Sequence, residues 1–196
     1  MENRVIEIKR ETKETVIYVK LNLDGQGNYD ISTDIPFFDH MLSCFSLHGF
    51  FDISVNIKGD TEIDYHHSVE DAGIVIGDAI NKALVDRAKI KRYGFAATPM
   101  DDALAEVFID LSKRPYLVYN ICDIPKQHGN FDIYLAKEFF RALSVHAGIN
   151  LHINVRYGEN EHHIIEAIFK SFGRALSEAV SFDERIKNIR STKGIL

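Results

Sequence analysis

His66-His67-Ser68-Val69-Glu70 returns 96 residues later as His162-His163-Ile164-Ile165-Glu166. Gly77, Ala79 and Ala83 return at the same offset as Gly173, Ala175 and Ala179. Upstream, Leu47-His48 matches Val145-His146, and the alternating Ile53, Val55, Ile57 matches Leu151, Ile153, Val155, both at an offset of 98. Further back, Val19-Lys20-Leu21-Asn22-Leu23 resembles Val107-Phe108-Ile109-Asp110-Leu111. An ordered series of matches at a slowly drifting offset marks internal duplication, which sets the frame for every local motif. The chain divides into two modules, residues 1–92 and 93–190, with a short tail at 191–196.

Within a module the periodicities are clear. Residues 15–23 alternate as a strand, end at the turn Asp24-Gly25-Gln26-Gly27, and are followed by an extended run over 28–33. Residues 37–48 have helical spacing, with Phe38, Met41, Leu42 and Phe45 on one face. Residues 52–57 alternate with period two, and 68–85 form a long amphipathic helix. The second module repeats these elements at 103–111, 135–146, 150–155 and 164–180. A β-β-α-β-α unit therefore occurs twice, predicting an α+β fold of four main helices and two small sheets. Each sheet must bury one face, so the helices are expected to layer against them. No low-complexity linker separates the modules, and they are expected to pack as one body.

Composition narrows the function. The chain has 196 residues, 45% hydrophobic and 27% charged, too apolar for general disorder. With 23 basic against 29 acidic residues the net charge is −6, which disfavours a nucleic-acid partner. No apolar run approaches the ~20 residues of a membrane span, and the opening residues contain no apolar signal region. Cys44 and Cys122 form no CxxC pair, so a reducing, cytoplasmic setting is expected. Nine histidines are the unusual entry in this composition.

The doubled His-His-x-x-Glu carries the chemistry. On a helix His66 and Glu70 stand i, i+4 and His67 and Glu70 stand i, i+3, on shared faces. Adjacent histidines diverge by about 100°, so each pair is expected to serve two ions, one imidazole apiece. Imidazole and carboxylate without thiolate suit Mn, Fe, Co, Ni or Zn. A solvated helix start is the plain alternative for one copy. Two copies, each preceded by acidic residues (Asp60-Thr61-Glu62-Ile63-Asp64 and Glu159-Asn160-Glu161), favour metal. His40 aligns with Glu138 at an offset of 98, an imidazole exchanged for another ligand type; capping or core packing is the alternative for His40. His48 and His146 pair as acid–base groups or as packed helix ends, whereas His128 and His152 have no match and read as structural or surface residues.

Basic groups form a second set. Arg92-Tyr93-Gly94, Ser112-Lys113-Arg114-Pro115-Tyr116, Lys170 and Ser191-Thr192-Lys193-Gly194 supply guanidinium, ammonium and hydroxyl groups suited to a phosphate clamp. Solvated surface charge is the alternative for each. No GxxxxGK[ST] loop is present, which disfavours nucleotide hydrolysis. Three readings stay open on these residues: a di-metal lyase, a di-metal phosphoesterase, and a non-catalytic shell stapled by metal.

Several stretches together resemble one family. They are Arg10-Glu11-Thr12-Lys13-Glu14-Thr15, Phe38-Asp39-His40-Met41-Leu42, Asp64-Tyr65-His66-His67-Ser68-Val69-Glu70-Asp71, Arg114-Pro115-Tyr116, Gly158-Glu159-Asn160-Glu161-His162-His163 and the terminal Ser191-Thr192-Lys193-Gly194. Over essentially the whole chain this is similar to the imidazoleglycerol-phosphate dehydratase family of histidine biosynthesis, in its monofunctional form. The resemblance implies a duplicated fold, of the ribosomal protein S5 domain 2-like class, with helices between two four-stranded sheets. It implies a homo-oligomeric shell of 24 copies with active sites at subunit contacts, and two Mn²⁺ per site held by His40, His66, His67, Glu70, Glu138, His162, His163 and Glu166. The phosphate of a small-molecule substrate is expected on Arg92, Arg114, Lys170, Ser191 and Lys193.

The implied reaction converts D-erythro-imidazoleglycerol phosphate to imidazole acetol phosphate. The expected route passes through a di-metal-stabilised imidazolate and a diazafulvene, with Glu14 transferring the proton and His48 and Asp71 assisting. Three positions depart from the family pattern: Glu138 where many members have His, Cys44 where Gln is frequent, and Lys113 where Gly is usual.

Overall fold

Alternating apolar residues build two sheets of one design. The computed structural model describes residues 4–121 and 131–196, with the backbone of Gln127 and His128 between them; Cys122 and the His128 side chain lie outside the described residues. The first sheet runs in the order β1 (Val5–Glu11), β2 (Thr15–Asn22), β4 (Asp52–Gly59), β3 (Tyr29–Ser32), with β3 parallel to β4 and the other neighbours antiparallel. The second runs β5 (Tyr93–Met100), β6 (Ala103–Asp110), β10 (Asn150–Tyr157), β7 (Tyr116–Asn120), with the same pattern of directions. A short ribbon pairs β8 (Gln127–His128) with β9 (Phe131–Asp132).

Strand register carries the duplication. Ile17, Val19 and Leu21 face Ile57, Val55 and Ile53 across the first sheet; Ala105, Val107 and Ile109 face Val155, Ile153 and Leu151 across the second. All of these side chains are buried. The sheets are four-stranded because β1 and β5 add a strand ahead of each run read from the sequence. Both are edge strands. The buried positions of β5 are Gly94, Ala96 and Thr98, all small, because helix backbone approaches closely there. A Cβ on Gly94 would lie 1.9 Å from the Ala175 carbonyl oxygen.

Four helices fill the space between the sheets: α1 (Pro36–Gly49), α2 (His66–Ala83), α3 (Tyr134–Ala147) and α4 (Glu161–Val180). α1 and α2 lie against the first sheet and α3 and α4 against the second, and the two layers meet as α1 on α4 and α2 on α3. Both crossings need a glycine. A Cβ on Gly173 would lie 2.5 Å from the Phe45 carbonyl oxygen, and one on the repeat-related Gly77 would lie 2.8 Å from that of Leu143. Phenylalanines fill the seam, with Phe45 on Phe172 at 5.3 Å between ring centroids and Phe140 on Phe172 at 5.3 Å.

α2 ends at Ala83, short of the expected residue 85, and a tight turn follows in which Val85, Arg87 and Lys89 take left-handed φ of 47°, 61° and 62°. The turn seats the buried Arg87 guanidinium against the end of α3, donating to the Ala147 and Gly148 carbonyls at 2.5 and 2.9 Å. After α4 the chain runs back beside residues 89–92, with Asp183 N–H on the Lys89 carbonyl and Lys89 N–H on the Asn188 carbonyl. That return brings Ser191 and Lys193 next to Arg92. Among the described residues no helix is long and apolar enough to cross a membrane.

Candidate functional site

Because α1 packs on α4, residues from different repeats meet. His40 Nε2 lies 3.3 Å from Glu166 Oε2, and His162 Nε2 lies 3.1 Å from the same oxygen. One ligand atom from each of these three residues falls within 4.8 Å of the others, a geometry suited to one metal ion. Glu166 is buried, which alone would raise its pKa, but Lys170 and His40 outweigh that and hold it below the ordinary carboxylate value.

The matching place on α2 and α3 is arranged differently. His66 Nε2 lies 3.4 Å from Glu70 Oε2, one helical turn away. Glu138, on α3, is buried and accepts from Arg141 at 3.3 Å. Its exchange for the histidine at position 40 therefore leaves a carboxylate that pairs within its own helix.

The second histidine of each pair turns away, as the ~100° step requires. His67 Nδ1 lies 3.0 Å from Asp60 Oδ2, and its Nε2 lies 4.0 Å from Glu14. His163 Nδ1 lies 2.5 Å from Asp102, and its Nε2 lies 3.5 Å from Asp101. The Asp60 and Asp102 carboxylates raise the pKa of the two imidazoles. A carboxylate on Nδ1 fixes the proton there and leaves Nε2 as the ligating atom. Asp102 also accepts the Glu159 and Asn160 backbone N–H groups, and the Asn160 side chain caps α4 through the His162 and His163 N–H groups.

Asp102 is absent from the candidates read from the sequence. The signal for it exists: Val19 matches Val107 at an offset of 88, and the same offset carries Glu14 onto Asp102. Both occupy the turn between the first two strands of a sheet, beside the second histidine of the pair.

Glu14 sits in the β1–β2 turn, where Thr12 Oγ1 accepts the Glu14 and Thr15 N–H groups at 3.1 and 3.0 Å. Asp71 lies under that turn, ion-paired with Arg10 and accepting from Thr15 Oγ1. It braces the segment that presents Glu14. His48 stands apart, eight residues along α1 from His40, or about 12 Å. It lines a separate cleft with Arg174 and Glu178, and burial together with Lys170 and Arg174 lowers its pKa. Its repeat mate His146 lies 3.0 Å from Asp78.

Arg92, Arg114, Ser191 and Lys193 line one cleft of about 600 Å³ with Tyr93, Arg190 and Thr192. Arg92 is buried and already engaged, holding Asp110 at 2.6 Å and the Arg190 carbonyl at 2.6 Å, whereas Arg114 is largely exposed. Arg190 extends the set beyond the residues read from the sequence, next to Ser191. Lys170 lies elsewhere, on α4, with Nζ 2.5 Å from Glu166 Oε1. The cationic cleft and the histidine clusters share no lining residue on one copy of the chain.

The family model described as imidazoleglycerol-phosphate dehydratase matches residues 33–176. A relative of that name from Desulfosudis oleivorans is 55% identical over 193 residues, spanning 98% of this chain and 99% of its own. Another from Thermoanaerobacter pseudethanolicus is 54% identical over 196 residues, spanning 98% and 100%. The crystal structure of the dehydratase from Staphylococcus aureus superposes with a TM-score of 0.83 at 37% identity, covering 91% of this chain and 99% of that one. The Pyrococcus furiosus structure, in complex with (S)-C348, gives the same TM-score and identity over 96% and 100%.

Proposed function

This chain belongs to the imidazoleglycerol-phosphate dehydratase family, and from that premise we propose that it is a Mn²⁺-dependent hydro-lyase that dehydrates D-erythro-imidazoleglycerol phosphate to imidazole acetol phosphate in histidine biosynthesis. The observation that carries the metal part is the convergence of His40, His162 and Glu166 from two helices of different repeats. Imidazole and carboxylate donors without thiolate fit Mn²⁺. The full ligand set is His40, His66, His67, Glu70, Glu138, His162, His163 and Glu166. His67 and His163 direct Nε2 away from the first histidine of their own pair, which supports ions completed by a neighbouring copy. The separation of cationic cleft and histidine clusters on one chain supports sites shared between copies, and the resemblance implies a shell of 24.

In this reading the substrate phosphate sits against Arg114, Ser191 and Lys193, with Arg92 shaping the cleft through Asp110 and the tail. The C2 hydrogen of the substrate is not acidified by a carbonyl. Two Mn²⁺ ions held by these residues would supply the electrophilic stabilisation that lets the imidazole ring carry negative charge. The electron-rich ring expels the C3 hydroxyl, which leaves as water with the proton the ring nitrogen has given up; Glu14 then takes the C2 proton on a carboxylate oxygen, a proton returns to the ring, and the resulting enol tautomerises to the ketone. Asp71, through Arg10 and Thr15, is a positioning residue for Glu14.

The test is an assay of the full chain with imidazoleglycerol phosphate, following ketone and inorganic phosphate together. Ketone without phosphate supports the dehydratase. Phosphate release would move the protein to the phosphoesterases, and neither product would leave a shell without chemistry.

A further inference from the structure

Four residues after Glu166 comes Lys170; four after Glu70, at the matching place on α2, comes Ile74, and both positions are partly buried. Glu166 is divided between two neighbours. Its Oε1 lies 2.5 Å from Lys170 Nζ, and its Oε2 faces His162 at 3.1 Å and His40 at 3.3 Å. Met100 Sδ, 3.5 Å from Nζ, covers the ammonium, and only 16% of the lysine side chain is exposed. Glu70 has no lysine or arginine partner among the described residues, and 42% of its side chain is exposed.

A sheltered ammonium on one carboxylate oxygen has two effects on a cation at the other. It repels the cation through a poorly screened gap, and it removes the second oxygen from ligation. We propose that Lys170 is a positioning residue that makes the two metal centres unequal: it restricts Glu166 to Oε2, so the centre containing Glu166 binds Mn²⁺ more weakly than the centre containing Glu70. The inference rests on the reading that both HHxxE copies hold Mn²⁺, and it gives Lys170 a role other than phosphate contact.

Metal-stripped full-length protein is titrated with Mn²⁺, with free ion read by electron paramagnetic resonance. The wild type should show two classes of site, about tenfold or more apart in Kd, on the scale of outer-shell effects. His162→Ala should remove the weaker class and His66→Ala the tighter. Lys170→Met should tighten the weak class about tenfold while leaving the tight class in place as a check on folding. Lys170→Arg, which keeps the cation, should preserve the gap. A single class in the wild type, or a weak class unmoved or loosened by Lys170→Met, overturns the proposal. A rise in substrate KM with an unchanged Mn²⁺ titration overturns it too, leaving Lys170 as a phosphate contact. If the wild type retains no Mn²⁺ at all, the metal reading fails along with this proposal, a result distinct from the others.

Discussion

The α1–α4 and α2–α3 helix pairs are built on one plan and furnished differently. Each crosses at a glycine, Gly173 against the Phe45 carbonyl and Gly77 against that of Leu143. In the first pair His40, His162 and Glu166 gather within ligand distance. In the second, Glu138 turns to Arg141 and Glu70 faces His66. Duplication has preserved what the backbone needs for close packing and let the side chains at the helix ends diverge.

The widest predicted gap between the repeats is at the two turns. Glu14→Gln should lower kcat by about 10² to 10⁴-fold with Mn²⁺ content unchanged, the range for losing a positioned acid–base group. Asp102→Asn, its counterpart, should lower Mn²⁺ affinity instead, because Asp102 holds His163 Nδ1 and the entry to α4. Equal losses of turnover with equal metal retention would erase the distinction, and metal analysis beside steady-state kinetics decides it.

The shared plan makes the opposite prediction for the glycines. Gly173→Ala and Gly77→Ala should each destabilise the fold by about 1–3 kcal/mol, since the added Cβ meets a backbone carbonyl in both crossings. Thermal melts that fall for one variant and not the other would break the equivalence of the pairs. A third variant tests the cleft. Lys193→Ala should raise KM about tenfold, the loss of one charge-assisted contact to phosphate, with kcat and Mn²⁺ stoichiometry unchanged.

The smallest effect separates His48 from His146. Burial, Lys170 and Arg174 hold His48 below its ordinary pKa, whereas His146 faces Asp78. His48 therefore stays neutral in the folded chain when the unfolded imidazole, near 6.5, is already protonated. Its contribution to stability is intact above about pH 6.5 and is lost as pH falls from there through the folded value. Arg174→Ala should raise the His48 pKa, seen by NMR titration; an unchanged or lower value would contradict the assignment of its cause.

Much of the fold was legible because the repeat was. The offset of 98 that matched Ile53, Val55 and Ile57 to Leu151, Ile153 and Val155 reappears as strand register. The edge strands β1 and β5 were not, since β1 is charged along one face and the buried face of β5 is Gly94, Ala96 and Thr98, small enough to sit under α4. At the site, i, i+4 spacing gave the His66–Glu70 and His162–Glu166 contacts directly. Asp60, Asp102 and the partnering of His40 with Glu166 depend on which turn lies beside which helix end, and local periodicity does not encode that. Lys170 lies between the two cases: its spacing from Glu166 was visible, yet only burial and distance show that it grips that carboxylate.

The most direct test of the account is turnover against metal content. Chelator-stripped protein, given imidazoleglycerol phosphate and increasing Mn²⁺, should be inactive at zero ion and reach full ketone formation only near two ions per chain, the number set by the two HHxxE copies. Turnover indifferent to stripping, or complete at one ion per chain, would contradict it.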